Sequence, residues 1–175
     1  MNYVVPTGTA LGSATVTVTS ADGTVSTGRL EIQPVAPGVF RVYGSEIDWD
    51  GGSETLPAAQ VVRLRDGMQT VEPVFRLNAA GQIVPVRIDL GRDTDEVSLV
   101  LFGTGWRFRS SLANVFIVIG GTVLPVQYAG PQGEFSGLDQ INVRISSLRF
   151  FGGEASVWIA VDGRFESAGY LPLGR

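Results

Sequence analysis

The first thirty-odd residues of this chain read as a second copy of its last thirty-odd. The opening segment holds Met1-Asn2-Tyr3-Val4-Val5, then Gly12-Ser13-Ala14-Thr15-Val16-Thr17-Val18, then Asp22-Gly23 and a segment ending Leu30-Glu31-Ile32. The closing segment holds Ile141-Asn142-Val143-Arg144-Ile145, then Gly153-Glu154-Ala155-Ser156-Val157-Trp158-Ile159, then Asp162-Gly163 and a segment ending Leu171-Pro172-Leu173. Each copy is expected to form a short strand, a Gly-containing loop and a tight hairpin. The second copy is expected to close a complete domain, and the first to lack the strands that would complete one. Three strands cannot bury a sheet face alone, so the first copy is expected to need a partner.

Alternation with period two dominates the rest. Ala14-Thr15-Val16-Thr17-Val18-Thr19 places Ala and Val on one face and β-branched Thr on the other, which specifies a half-buried strand. Ala21-Asp22-Gly23 supplies hairpin-turn chemistry, and Thr24 to Ile32 forms the return strand. Two prolines in Gln33-Pro34-Val35-Ala36-Pro37-Gly38 cannot continue a ladder and mark a boundary. The division is therefore a half-domain over 1–34 and a complete unit over 35–175. Val97-Ser98-Leu99-Val100-Leu101-Phe102 and Val115-Phe116-Ile117-Val118-Ile119 are almost wholly apolar, as in strands buried on both faces. Turn signals separate some ten short strands. Only Leu56 to Leu64 and Ser110 to Asn114 have room for a helical turn. The pattern is that of an all-β antiparallel β-sandwich preceded by a partial, duplicated half.

The composition narrows the chemistry. The chain has no Cys, no His and no Lys; all 13 basic residues are Arg. These absences remove thiolate chemistry, the commonest general base, Schiff-base catalysis and a P-loop lysine. Net charge is −4 with scattered Arg, so the basic stripe that nucleic-acid binding requires is missing. No apolar run approaches the roughly 18 residues of a membrane helix. No charged n-region followed by an apolar stretch opens the chain, so an export signal is expected upstream of it. Catalysis is not expected: no His stands by to activate a Ser, and a shallow sandwich suits a glycosidase carboxylate pair poorly.

Ala36-Pro37-Gly38-Val39-Phe40, Leu101-Phe102-Gly103-Thr104-Gly105, Ile119-Gly120-Gly121, Pro125-Val126-Gln127-Tyr128-Ala129-Gly130 and Gly137-Leu138-Asp139-Gln140-Ile141-Asn142-Val143 occur in that order. Together they resemble the immunoglobulin-like C-terminal module of large acidobacterial (Solibacter-type) secreted proteins. The resemblance covers essentially the whole chain. It implies an early-set immunoglobulin-like β-sandwich at the end of a long extracellular or cell-surface chain, with no catalytic residues to carry over. It also implies neighbouring immunoglobulin-like domains, of the same chain or another copy, as partners. Gln60 to Leu90 departs from the commoner, shorter connection. The expected role is a non-catalytic structural or interaction module, with a carbohydrate-binding module as the alternative; the opening segment is expected to complete an upstream domain, to pair with a second copy by strand donation, or to fold back on the sheet edge of its own domain.

Four stretches carry candidate sites. Asp48-Trp49-Asp50-Gly51-Gly52-Ser53-Glu54 places carboxylates at alternate positions before a Gly, as at the start of a calcium loop. Asp48, Asp50 and Glu54 are the candidate ligands, with Glu46 as a further oxygen; Gln60 at the twelfth position does not complete an EF-hand. The competing reading is a solvated acidic loop. Asp93-Thr94-Asp95-Glu96 reads either as an interdomain ligand set or as a solvated turn whose charges guard the apolar strand after it. In Gly103-Thr104-Gly105-Trp106-Arg107-Phe108-Arg109, Trp106, Arg107 and Phe108 form an interaction surface for a partner or a polysaccharide, or Trp106 caps the open end of the sandwich. Trp158 sits out of phase with Val157 and Ile159 and points to the opposite sheet face, which is either solvent or a contact with a neighbour. Trp49, Trp106 and Tyr43 are the candidates for stacking on a sugar.

Overall fold

The computed structural model describes residues 3–42, 48–49, 52–53, 55–148 and 152–174. The chain opens with β1 (Gly12–Thr19) and β2 (Val25–Ile32). Short pieces follow: β3 (Gly38–Val39), β4 (Arg41–Val42), β5 (Asp48–Trp49), β6 (Gly52–Ser53) and β7 (Leu56–Pro57). Then come β8 (Ala59–Arg65), β9 (Met68–Pro73), β10 (Phe75–Leu77), β11 (Ile83–Pro85) and β12 (Ile88–Asp89). The longer strands are β13 (Glu96–Thr104), β14 (Val115–Ile119), β15 (Thr122–Pro131), β16 (Asp139–Arg144), β17 (Gly153–Val161) and β18 (Arg164–Gly174). Among the described residues the helical content is a single 3-10 turn at Leu112–Asn114, capped by the Ser111 hydroxyl. The protein is thus all-β. Leu56 to Leu64, where a helical turn was conceivable, is strand on both sides of Ala58, in keeping with the Val61, Leu64 and neighbouring β8 ladder positions.

The main sheet runs β12-β18-β17-β14-β15-β16-β13-β8-β9, with β3 attached to β13. It curls on itself because β15 changes partner. Its first part pairs with β14 and its second with β16, with a bulge between Val126 and Tyr128. Val97, Leu99 and Leu101 of β13, Ile141 and Val143 of β16, Ile117 and Ile119 of β14, and Val157 and Ile159 of β17 consequently meet in one core. β13 is central, flanked by β8 and β16, which accounts for its apolar run. β14 presents Val115, Ile117 and Ile119 to the core, while Phe116 and Val118 on its other face are only half-buried.

Among the described residues β1 and β2 pair only with each other. Of residues 3–34 none is buried; the first buried residue among those described is Val35. Residues 3–6 are not strand, contrary to the expectation of a trio. The counterpart in the other copy, β16, exists as a strand because β13 and β15 flank it. Among the described residues no strand flanks residues 3–6 in the N-terminal copy, so their backbone gains no ladder.

Candidate functional site

The Gly103–Arg109 loop is an internal clasp. Trp106 is 0% exposed, so it stacks on no external ring; this corrects its assignment to an interaction surface. Its indole Nε1 donates to the Gln140 carbonyl at 3.3 Å. The cause is the pair of glycines around it. A Cβ on Gly103 would strike both the Trp106 ring and the Gly38 carbonyl, and one on Gly105 (φ +84) would strike the Ala36 carbonyl. Fully buried Asp139 completes the clasp. Its Oδ2 accepts from the backbone N–H of Trp106 at 3.0 Å and of Arg107 at 3.2 Å, and its Oδ1 accepts from Arg107 Nε at 2.7 Å. Arg107 is therefore committed to the fold, while Phe108 stays exposed. Trp106 closes the end of the curled sheet, the second of its two sequence readings.

The Asp93–Glu96 stretch is not a solvated turn at Asp95, which is 3% exposed. Arg65 donates to its Oδ2 through Nε at 2.9 Å and Nη2 at 2.6 Å. The Arg92 backbone N–H donates to the same oxygen, and Arg92 Nε to Oδ1. These contacts, Arg65 foremost, hold the Asp95 carboxyl at about 2, against the desolvation that opposes them. Alongside, buried Arg63 donates to Glu72 through Nε and Nη2 and to the Asp89 carbonyl. The carboxylate that sequence reasoning treated as a ligand or a solvated charge is a rivet joining β8 to the loop before β13.

Among the described residues no three or more acidic side chains gather into a cation site. Asp50, Glu54, Glu46 and Tyr43 lie outside those residues; Asp48 and Trp49 lie in β5, with their side chains undescribed. Among the described residues no helix is long and apolar enough to cross a membrane.

The site that remains open is the N-terminal hairpin. Cross-strand partners share a face, and the register Gly12↔Ile32, Ala14↔Leu30, Val16↔Gly28, Val18↔Ser26 puts Ala14, Val16, Val18, Leu30 and Ile32 together. Thr15, Thr17, Arg29 and Glu31 occupy the other face. All five apolar residues are half-exposed. The C-terminal hairpin carries the same ladder: Gly153↔Leu173, Ala155↔Leu171, Val157↔Gly169. There the matching residues, Ala155, Val157, Ile159, Leu171 and Leu173, are at most 1% exposed. The two hairpins differ at their tips. β1–β2 turns through Ser20–Thr24, with Gly23 at φ +85, whereas β17–β18 turns at Asp162 (φ 48) and Gly163 (φ 77) and takes up the difference in a bulge at Val157/Trp158. The residue correspondence extends to Gly28 and Gly169, a match visible only once the pairing is known.

A second apolar surface lies outside the β15-β14-β17-β18 half of the sheet. Trp158 is 44% and Phe165 63% exposed there, and Phe165 meets Phe116 edge to face at 6.0 Å. Trp158 thus faces away from the core, as its phase against Val157 and Ile159 requires. No family model, curated protein or solved structure matches this chain.

Proposed function

We propose that the chain is a non-catalytic structural and interaction module of an exported protein, and that its N-terminal hairpin serves by completing a neighbouring β-rich unit. The observation that carries this is the unequal fate of two matching hairpins: five apolar positions buried in one are half-exposed in the other. Full burial of an aliphatic side chain contributes roughly 1.5–3 kcal/mol. Covering the remaining half of this face therefore offers a few kcal/mol, enough to drive a specific contact. The immunoglobulin-like reading supports the same role, since such modules stand beside others of their kind; it divides the chain into a donated half over 1–34 and a sandwich over 35–175. The Thr-rich outer face of β1 suits an exported surface.

Amide hydrogen exchange on the dilute full-length chain tests the reading. An uncovered two-stranded hairpin is marginal. The amides of β1 and β2 should exchange at least a hundredfold faster than those of β13 and β16. Equal protection at high dilution would mean that the hairpin is self-sufficient, and the reading would fail. The carbohydrate alternative now rests on Trp158 and Tyr170, both exposed, rather than on Trp106. Its signature in the same experiment is protection of β17 on adding a soluble polysaccharide, lost in Trp158→Ala.

A further inference from the structure

We infer that the socket receiving β1–β2 is built like the one that holds β17–β18, with Gly28 the point where the partner's backbone closes on the hairpin, and that a second copy of this chain can present that socket. The inference rests on the reading above and specifies the form of the partner's socket. Gly169 is a glycine for a reason: at φ +100, any Cβ would strike the Thr55 carbonyl, and the Tyr170 N–H donates to that same oxygen at 3.1 Å. Gly28 occupies the same rung opposite Val16, in ordinary strand conformation rather than the left-handed one of Gly169, and nothing lies within 4 Å of where its Cβ would stand. A glycine in an open strand interior weakens the strand and packs nothing. Its place is accounted for if a backbone segment approaches there in the assembled state.

The remaining parts of the socket follow from the same correspondence. β17 uses its outer edge to pair with β14, Ile119 opposite Val157 and Val118 opposite Trp158. Among the described residues nothing pairs with the matching edge of β1, so Val16 would stand opposite Ile119. Several contacts would be lost in the exchange, among them the Phe165 ring against Phe116 and the Asp162 carboxylate accepting from Ser110. Ser26, opposite Val18, stands where Glu166 stands opposite Ile159, and Glu166 pairs with Arg41 at 2.9 Å. The chain's own hairpin therefore outcompetes the donated one, and the socket opens to a second copy only when β17–β18 is weakened.

Full-length variants test this. Val157→Asp should fold only as concentration rises, as a dimer, and adding Gly28→Val should lower that dimer at least tenfold. Gly28→Val alone should leave the dilute chain's melting within a few degrees of the unsubstituted chain. A Val157→Asp dimer indifferent to Gly28→Val would overturn the inference. Should Val157→Asp stay unfolded at every concentration, the milder Val157→Ala decides. The chain has no cysteine of its own. In that background, Val16→Cys on one copy and Ile119→Cys on another should cross-link at least tenfold more than Thr15→Cys with Ile119→Cys, because Thr15 lies on the opposite face. Equal yields would overturn the socket while leaving the exchange result above, and the reading it supports, intact.

Discussion

Asp139 shows how much one buried carboxylate decides. It receives two backbone N–H groups and a guanidinium, and these fix the loop that seats Trp106. Removing one partner of a buried ion pair strands the others without water, at a cost of about 3 kcal/mol or more. For a chain of this size 1 kcal/mol is worth roughly 2–4 °C. Asp139→Ala should therefore lower the melting temperature by about 6–12 °C, read by thermal denaturation; a change below about 2 °C would show that the clasp does not hold the fold. In sequence, Trp106-Arg107-Phe108 has the composition of a binding loop, and composition cannot distinguish an exposed aromatic from a buried one. The distinguishing signal was Gly103 and Gly105, whose missing side chains make room for the indole and for the Ala36 backbone. Asp139 sits thirty-odd positions away, and nothing local in the sequence ties it to that loop.

At the scale of elements, the period-two pattern was enough to place β1 and β17, because a sheet with one buried face writes its alternation into the chain, and β13 was placed by its apolar run. The same rule predicts a strand near Tyr3, where none forms; propensity without neighbouring strands yields no ladder. β14 shows a related limit. Its wholly apolar sequence reads as buried on both faces, yet Phe116 and Val118 look outward. The turn before β13 was misread because its Arg partners come from β8, brought there only by the pairing of Glu96 with Leu64. That attachment titrates. Asp95 has a folded value of about 2 against an ordinary 3.8, so its contribution is complete above about 4 and is lost as the pH falls toward 2. Arginine side chains as a class keep their charge in acid. Asp95→Asn should melt lower than the unsubstituted chain at pH 7, and the gap should narrow steadily between pH 4 and pH 2. A gap independent of pH would show that the ionised carboxylate adds nothing to the junction.

Over the whole molecule, the chain divides where burial begins. Gln33 and Pro34 separate the half-exposed base of the hairpin at Ile32 from Val35, and Ala36 is fastened by its N–H to the Gly105 carbonyl at 2.9 Å. Everything that anchors the core lies on the far side of this joint. The duplicated ends made such a joint visible in the sequence; what the sequence withheld was which face of the hairpin is empty, since that follows from the register of two ladders rather than from either strand. If the joint is a true boundary, a chain beginning at residue 35 should keep its fold. Its loss would be confined to peripheral packing such as that of Val4 beside Gly137. Such packing at the surface is worth at most about 1 kcal/mol. The shortened chain should therefore melt within about 4 °C of the full chain at equal dilution, while losing the fast-exchanging amides of β1 and β2. A drop beyond about 8 °C would mean that the hairpin already shelters part of its own core, and the argument for an empty face would fall with it.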